Sequence, residues 1–177
     1  MPRLFTGLEV PDEVASTLSM IRGGLQGARW IDPENYHVTL RFLGDIDDRT
    51  ARDVHELLFG VRPRRIRMKI EGLSAFGGDR PRALIATVAP TPELAELQAE
   101  HERIVRRAGL PPEGRKFLPH VTLARLRSSS AQSVAHFLSD YGHFRPMSFD
   151  PDRFVLYSSR DSVGGGPYVV EEAYPLQ

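Results

Sequence analysis

The chain contains no cysteine, which removes disulfides, thiolate nucleophiles and every metal site built on thiolates. No apolar run approaches the roughly 20 residues a helix needs to cross a bilayer. Residues 1–10 alternate like a strand and lack the apolar core of a secretory leader, so cytoplasmic residence without membrane contact is expected. Net charge is also missing, with 23 Lys and Arg against 23 Asp and Glu. No global field therefore draws the protein to a polyanion, and any nucleic acid must be met locally. No Gly-x-Ser-x-Gly turn for a serine nucleophile is present, and Gly164-Gly165-Gly166 lacks the lysine and strand-to-helix context of a phosphate-binding loop.

What is present is an ordinary globular composition: 177 residues, 41% hydrophobic and 26% charged, enough for one domain or two small lobes. Residues 4–10 read as a strand. Val14, Leu18, Ile21 and Leu25 have helical spacing and predict a helix over residues 12–25. Trp30-Ile31-Asp32-Pro33 predicts a loop or short edge segment. Residues 37–43 alternate, with Val38, Leu40 and Phe42 on one face and His37, Thr39, Arg41 and Leu43 on the other. A helix ending near Gly60 follows, then a half-buried strand over residues 66–71 and a central strand over residues 83–89. The helix from Thr91 carries glutamates early and arginines late, as its dipole favours, and Gly109 with Pro111-Pro112 stops it. A helix over residues 130–141 and strands near residues 144–149, 153–158 and 168–174 complete the chain, with a turn at Gly164-Gly165-Gly166-Pro167 between the last two. Strands that adjoin directly favour antiparallel pairing.

One tetrapeptide occurs twice, His37-Val38-Thr39-Leu40 and His120-Val121-Thr122-Leu123, 83 residues apart. Each copy follows a proline-containing loop and precedes a helix, which suggests two pseudo-equivalent lobes. In a strand each copy points an imidazole and a hydroxyl the same way. Two facing copies would place two proton-transfer groups and two hydroxyl donors around one phosphate. Opening a phosphodiester needs a proton taken from water on one side and one given to the leaving oxygen opposite. The pattern alone leaves open which histidine does which. A chance recurrence of common residues is the competing explanation.

Neither motif has a second histidine or a carboxylate at the spacing zinc requires, so neither a metal nor another cofactor is expected. His55, His101, His136 and His143 read as structural or surface groups. Arginine makes up 21 of the 23 basic residues. The arginines of residues 62–67 read as the solvated face of a strand over Ile66, Met68 and Ile70, with an RNA-guiding patch as the alternative. Arg125 stands just beyond the second motif, where a bidentate phosphate contact would be useful. Strict alternation would put it opposite His120, so its participation requires a bulge.

The extended segments Arg29-Trp30-Ile31-Asp32-Pro33-Glu34-Asn35-Tyr36-His37-Val38-Thr39-Leu40-Arg41-Phe42-Leu43-Gly44 and Phe117-Leu118-Pro119-His120-Val121-Thr122-Leu123-Ala124-Arg125 resemble the two signatures of the RNA 2′,3′-cyclic phosphodiesterases. These were first named 2′-5′ RNA ligases and belong to the two-histidine phosphoesterase superfamily. Leu4-Phe5, Pro81-Arg82, Leu156-Tyr157 and Pro175-Leu176 extend the resemblance nearly end to end. It implies an α+β fold, a single bilobal domain over residues 1–177 with two antiparallel sheets flanking a central cleft and helices outside. It further implies metal-independent opening of a 2′,3′-cyclic phosphate to a 2′-phosphomonoester. His37 would be the acid toward the 3′-oxygen and His120 the base on water. Thr39 and Thr122 would hold the phosphate, Arg125 would assist, and Phe42 would flank the nucleoside. RNA 3′ ends or small cyclic nucleotides are the expected substrates of a monomer, with 2′-5′ ligation or non-catalytic RNA-end binding as rivals. Tyr36 in place of leucine, Ile85 in place of tryptophan and a Gly166-Pro167-Tyr168 turn one residue short depart from the pattern, and none removes a proton-transfer group.

Overall fold

A computed structural model describes residues 3–159 and 167–177; the turn expected at residues 164–166 lies outside them. The strands are β1 (Arg3–Glu9), β2 (Ala28–Trp30), β3 (His37–Asp45), β4 (Met68–Phe76), β5 (Ala83–Val88), β6 (His120–Leu126), β7 (Met147–Phe149), β8 (Arg153–Ser159) and β9 (Tyr168–Pro175). The helices are α1 (Asp12–Ser19), α2 (Asp48–Leu58), α3 (Pro92–Arg107) and α4 (Ala131–Tyr141). Asp47, Thr91 and Ser130 cap α2, α3 and α4, each side chain accepting from the backbone N–H three residues on. The first helix stops six residues short of the expected end, because Gly23 and Gly24 take φ of 101° and 76°, a left-handed conformation that no helix contains.

All pairing is antiparallel, in the order β7-β4-β5-β6-β3-β1-β8-β9, with β2 added along β6. The expected two sheets are the two arms of this path. They meet between β3 and β6 at one residue pair, Val38 with Val121. Both valines are fully buried. They face a core in which Leu8, Leu40 and Leu123 pack with Val14 and Leu18 of α1, Val54 and Leu58 of α2, and Leu94, Leu97 and Val105 of α3. A smaller core beneath α4 joins Leu84, Ala124 and Leu126 to Val134 and Phe137. The helices thus cover one face of the curled sheet and leave the other free.

The arginine-rich segment is tied down. Its strand begins at Met68 rather than residue 66, but Ile66, Met68 and Ile70 are fully buried as expected. Arg64 pairs with Glu100, while Arg65 and Arg67 reach Asp150 at 3.1 and 3.4 Å.

His101 is fully buried on α3, its Nδ1 2.9 Å from Thr6 Oγ1 and its ring edge-on to Phe154. Burial, reinforced by the nearby Arg64 charge, lowers its pKa to about 3. The unfolded chain therefore takes up a proton near pH 6.5 that the folded chain refuses. The stability this group supplies is complete above that pH and is lost as pH falls toward 3, by up to about 1.4 kcal/mol per pH unit. Thermal unfolding should shift to lower temperature between about pH 7.5 and pH 5.5, and His101→Asn should flatten the dependence; a melting temperature constant over that range would contradict this burial.

Candidate active site

Around the Val38–Val121 pair, antiparallel register sets His37 toward Thr122 and Thr39 toward His120. Since the valines face the helices, these four side chains face the other way, into a cavity of about 390 Å³ lined by all four. That is room for a nucleotide-sized ligand.

Strict alternation fails beyond the tetrapeptide, and fails identically in both halves. In β3 the partner of Thr39 is Gly7 and that of Arg41 is Thr6, so Leu40 is an extra residue. In β6 the partner of Thr122 is Ile85 and that of Ala124 is Leu84, so Leu123 is extra. Each bulge reverses the faces that follow it. Phe42 and Arg125, each five residues after its histidine, consequently turn into the cavity. Placing Phe42 on the core face with Val38 and Leu40 is thereby corrected. The bulge that Arg125 requires is present. Arg41, expected beside His37, is instead buried beneath the sheet. Its Nε donates to Glu102 Oε2 at 2.9 Å, one terminal nitrogen to Pro111 O at 2.6 Å and the other to the carbonyl of Phe42.

The two histidines are oriented alike. The Nδ1 of His37 lies 2.9 Å from Asn35 O, and the Nδ1 of His120 lies 2.7 Å from Leu118 O. A carbonyl only accepts, so Nδ1 carries the proton and neutral Nε2 is left basic. Nε2 of His37 is 2.9 Å from Thr39 Oγ1, whose hydroxyl donates to it. The surroundings differ more. The His37 ring sits among Phe5, Tyr157 and Tyr168 at centroid distances of 4.9, 5.4 and 5.2 Å. His120 meets Phe76 edge-on at 4.8 Å. Burial lowers the His37 pKa to about 4, with the His120 and Arg125 charges adding to the effect and the Asn35 bond opposing it. His120 is lowered also, by its lesser burial and then by Arg125, against the Leu118 bond.

Among the described residues, no three His, Asp or Glu side chains gather as a metal site. No described helix is long and apolar enough to cross a membrane.

The sequence model of the family described as LigT like Phosphoesterase matches the chain twice, over residues 8–86 and 85–168, once for each His-Val-Thr-Leu strand. The chain belongs to this family. It is 34% identical to an RNA 2′,3′-cyclic phosphodiesterase of Aquifex aeolicus over 82% of this chain and 81% of that protein. With the Aeropyrum pernix protein of the same name it shares 39% identity over 56% of this chain and 57% of the other. Escherichia coli LigT in complex with 3′-AMP shares the fold at 22% identity, with a TM-score of 0.78 and 99% of each chain covered.

Several residues of this LigT-like site carry no role in the sequence reading. Phe5, Tyr157 and Tyr168 wall His37, while Phe76, Arg82 and Arg115 line the side nearer His120. Phe5, Arg82 and Tyr157 stand in the short segments that extend the resemblance, and Tyr168 in the turn that departs from it, which was the available signal. Gly7 had none. It pairs with Thr39 in β1, and a Cβ there would stand 2.8 Å from Val38 O, 3.2 Å from the Tyr157 ring and 3.5 Å from His37 Cδ2. Only hydrogen fits against the Val38 carbonyl, and the Tyr157 ring leaves little room beside it. Gly7→Ala should push the Val38 carbonyl, and with it the adjoining His37, out of place and cut turnover by about 10²-fold, as an ångström of misplacement does, with little change in secondary structure. Unaltered His37 NMR shifts and rates would contradict it.

Proposed function

We propose that the chain hydrolyses RNA or nucleotide 2′,3′-cyclic phosphates to 2′-phosphomonoesters by acid–base catalysis from His37 and His120. The observation that carries this is the single cavity into which two oriented imidazoles and two hydroxyls converge across the Val38–Val121 pair. The names of the relatives support the reaction class.

The cyclic phosphate lies between the histidines, with Thr39 and Thr122 donating to its non-bridging oxygens and Arg125 supplying positive charge. Thr39 turns its hydroxyl from His37 Nε2 to the phosphate when substrate binds. His120, the less buried ring, takes a proton from water arriving from the open side. Water attacks phosphorus in line with the 3′-oxygen, the P–O3′ bond breaks, and His37 Nε2–H protonates that oxygen. In the empty site burial favours a neutral His37; the phosphate anion reverses that preference, so that the imidazolium stands ready as the acid once substrate is bound. Phe42 offers a face to the nucleoside. One domain over residues 1–177 suffices as a cytoplasmic monomer, since each lobe supplies one half of the site.

With an RNA bearing a terminal 2′,3′-cyclic phosphate, turnover should persist in excess EDTA and yield a 2′-phosphate. His37→Ala and His120→Ala should each lower the rate by roughly 10²–10⁴-fold with the fold intact. Activity lost in EDTA and restored by zinc, or a histidine variant at full rate, would defeat the mechanism.

A further inference from the structure

Arg41 takes no part in the chemistry proposed above. Yet among the described residues it is the only acidic or basic side chain that is buried, at 7% exposure. Burying a guanidinium is costly unless its donors find acceptors, and here each nitrogen finds one. Nε donates to Glu102 Oε2, and one terminal nitrogen donates to the carbonyl of Phe42. The other reaches Pro111 O at 2.6 Å and Glu102 Oε1 at 3.3 Å, and that same carboxylate oxygen accepts from Glu113 N–H at 3.3 Å.

Three segments meet at this side chain. The first is β3 just beyond its bulge. The second is α3, where Glu102 holds the guanidinium while its neighbour His101 holds Thr6, the register partner of Arg41 in β1. The third is residues 108–119, neither helix nor strand, which lead from α3 to His120. Ordering so long a connection costs backbone entropy that its ties must offset. Arg41 and Glu102 hold its early part at Pro111 and Glu113. Its far end carries Leu118, whose carbonyl lies 2.7 Å from His120 Nδ1.

The matching carbonyl for His37 is held elsewhere. Asn35 O belongs to the Pro33–Asn35 turn, closed by Asn35 N–H donating to Asp32 O at 2.8 Å. Nor does Arg41 act through its charge. The guanidinium that depresses both histidines is that of Arg125, whereas Arg41 is paired with Glu102 at 2.9 Å beneath the sheet.

We infer that Arg41, although it lies on the strand of His37, is a positioning residue for His120. With Glu102 it clamps the loop from α3 to β6, and so fixes the Leu118 carbonyl that turns the His120 ring with Nε2 toward the cavity. This rests on the hydrolase reading, in which His120 must offer a basic Nε2 to water.

The test is Arg41→Lys, which keeps a charge for Glu102 but cannot reach Pro111 O and Phe42 O with the same planar fork. The ring-nitrogen NMR signals of His120 should move from a fixed Nδ1–H tautomer toward a mixture, while those of His37 stay. On a cyclic-phosphate RNA kcat should fall by roughly tenfold or more, with the loss in kcat rather than KM. Glu102→Gln keeps the shape and one acceptor, should show the same pattern more weakly, and decides the question if Arg41→Lys does not fold. Unaltered His120 signals, an unaltered kcat, or His37 signals that move as far as those of His120 would overturn the assignment. If the native chain opens no cyclic phosphate, the hydrolase reading fails by itself, and the His120 signals alone decide whether the clamp aims the ring.

Discussion

The pairing of Val38 with Val121 is the constraint on which the rest depends. Among the described residues it is the one ladder pair that joins the two arms of the sheet, and burial of both side chains fixes which face of each strand looks toward the helices. A strand's period of two then sends the neighbours of each valine the other way. A one-residue slip of either strand would bury the imidazoles and expose the valines. Burying two valines stabilises the correct register by about 1.5–3 kcal/mol each, and the apolar packing of Leu40 and Leu123 on the same core adds to it.

From that pair outward the halves repeat and then diverge. Both strands bulge at the leucine of the tetrapeptide, and both orient the imidazole through a carbonyl two residues earlier. At the first position after the bulge that faces the cavity, one half has Phe42 and the other Arg125. A symmetric scaffold thus presents an asymmetric pair, an aromatic ring on one side of the cavity and a guanidinium on the other. The histidines diverge in the same sense: His37 is enclosed by Phe5, Tyr157 and Tyr168, and His120 meets Phe76 edge-on. Two chemically identical side chains thus acquire unequal surroundings from packing, with burial weighing more heavily on His37.

Much of this was legible in the sequence because it follows from local periodicity. The tetrapeptides, the cavity-facing set His37, Thr39, His120 and Thr122, and the antiparallel α+β character all rest on alternation and composition. The departures arise where one residue breaks a period. Extra residues at Leu40 and Leu123 moved Phe42 into the cavity and Arg41 out of it, which alternation cannot foresee. Positive φ at Gly23 and Gly24 shortened the first helix despite Ile21 and Leu25 at helical spacing. Gly7 is a tertiary requirement, set by the Val38 carbonyl of β3 and the Tyr157 ring of β8, and leaves no trace in its neighbours.

The central claim is that His37 and His120 act as one unit across the Val38–Val121 pair, and a double-mutant cycle tests it most directly. Turnover of a cyclic-phosphate RNA is measured in His37→Ala, His120→Ala and the double variant. Residues that work in one proton-transfer step are strongly non-additive, so the double variant should be scarcely slower than the worse single variant. Losses that multiply, with the double variant slower by the product of the two single factors, would mean that the histidines act independently and would contradict the account.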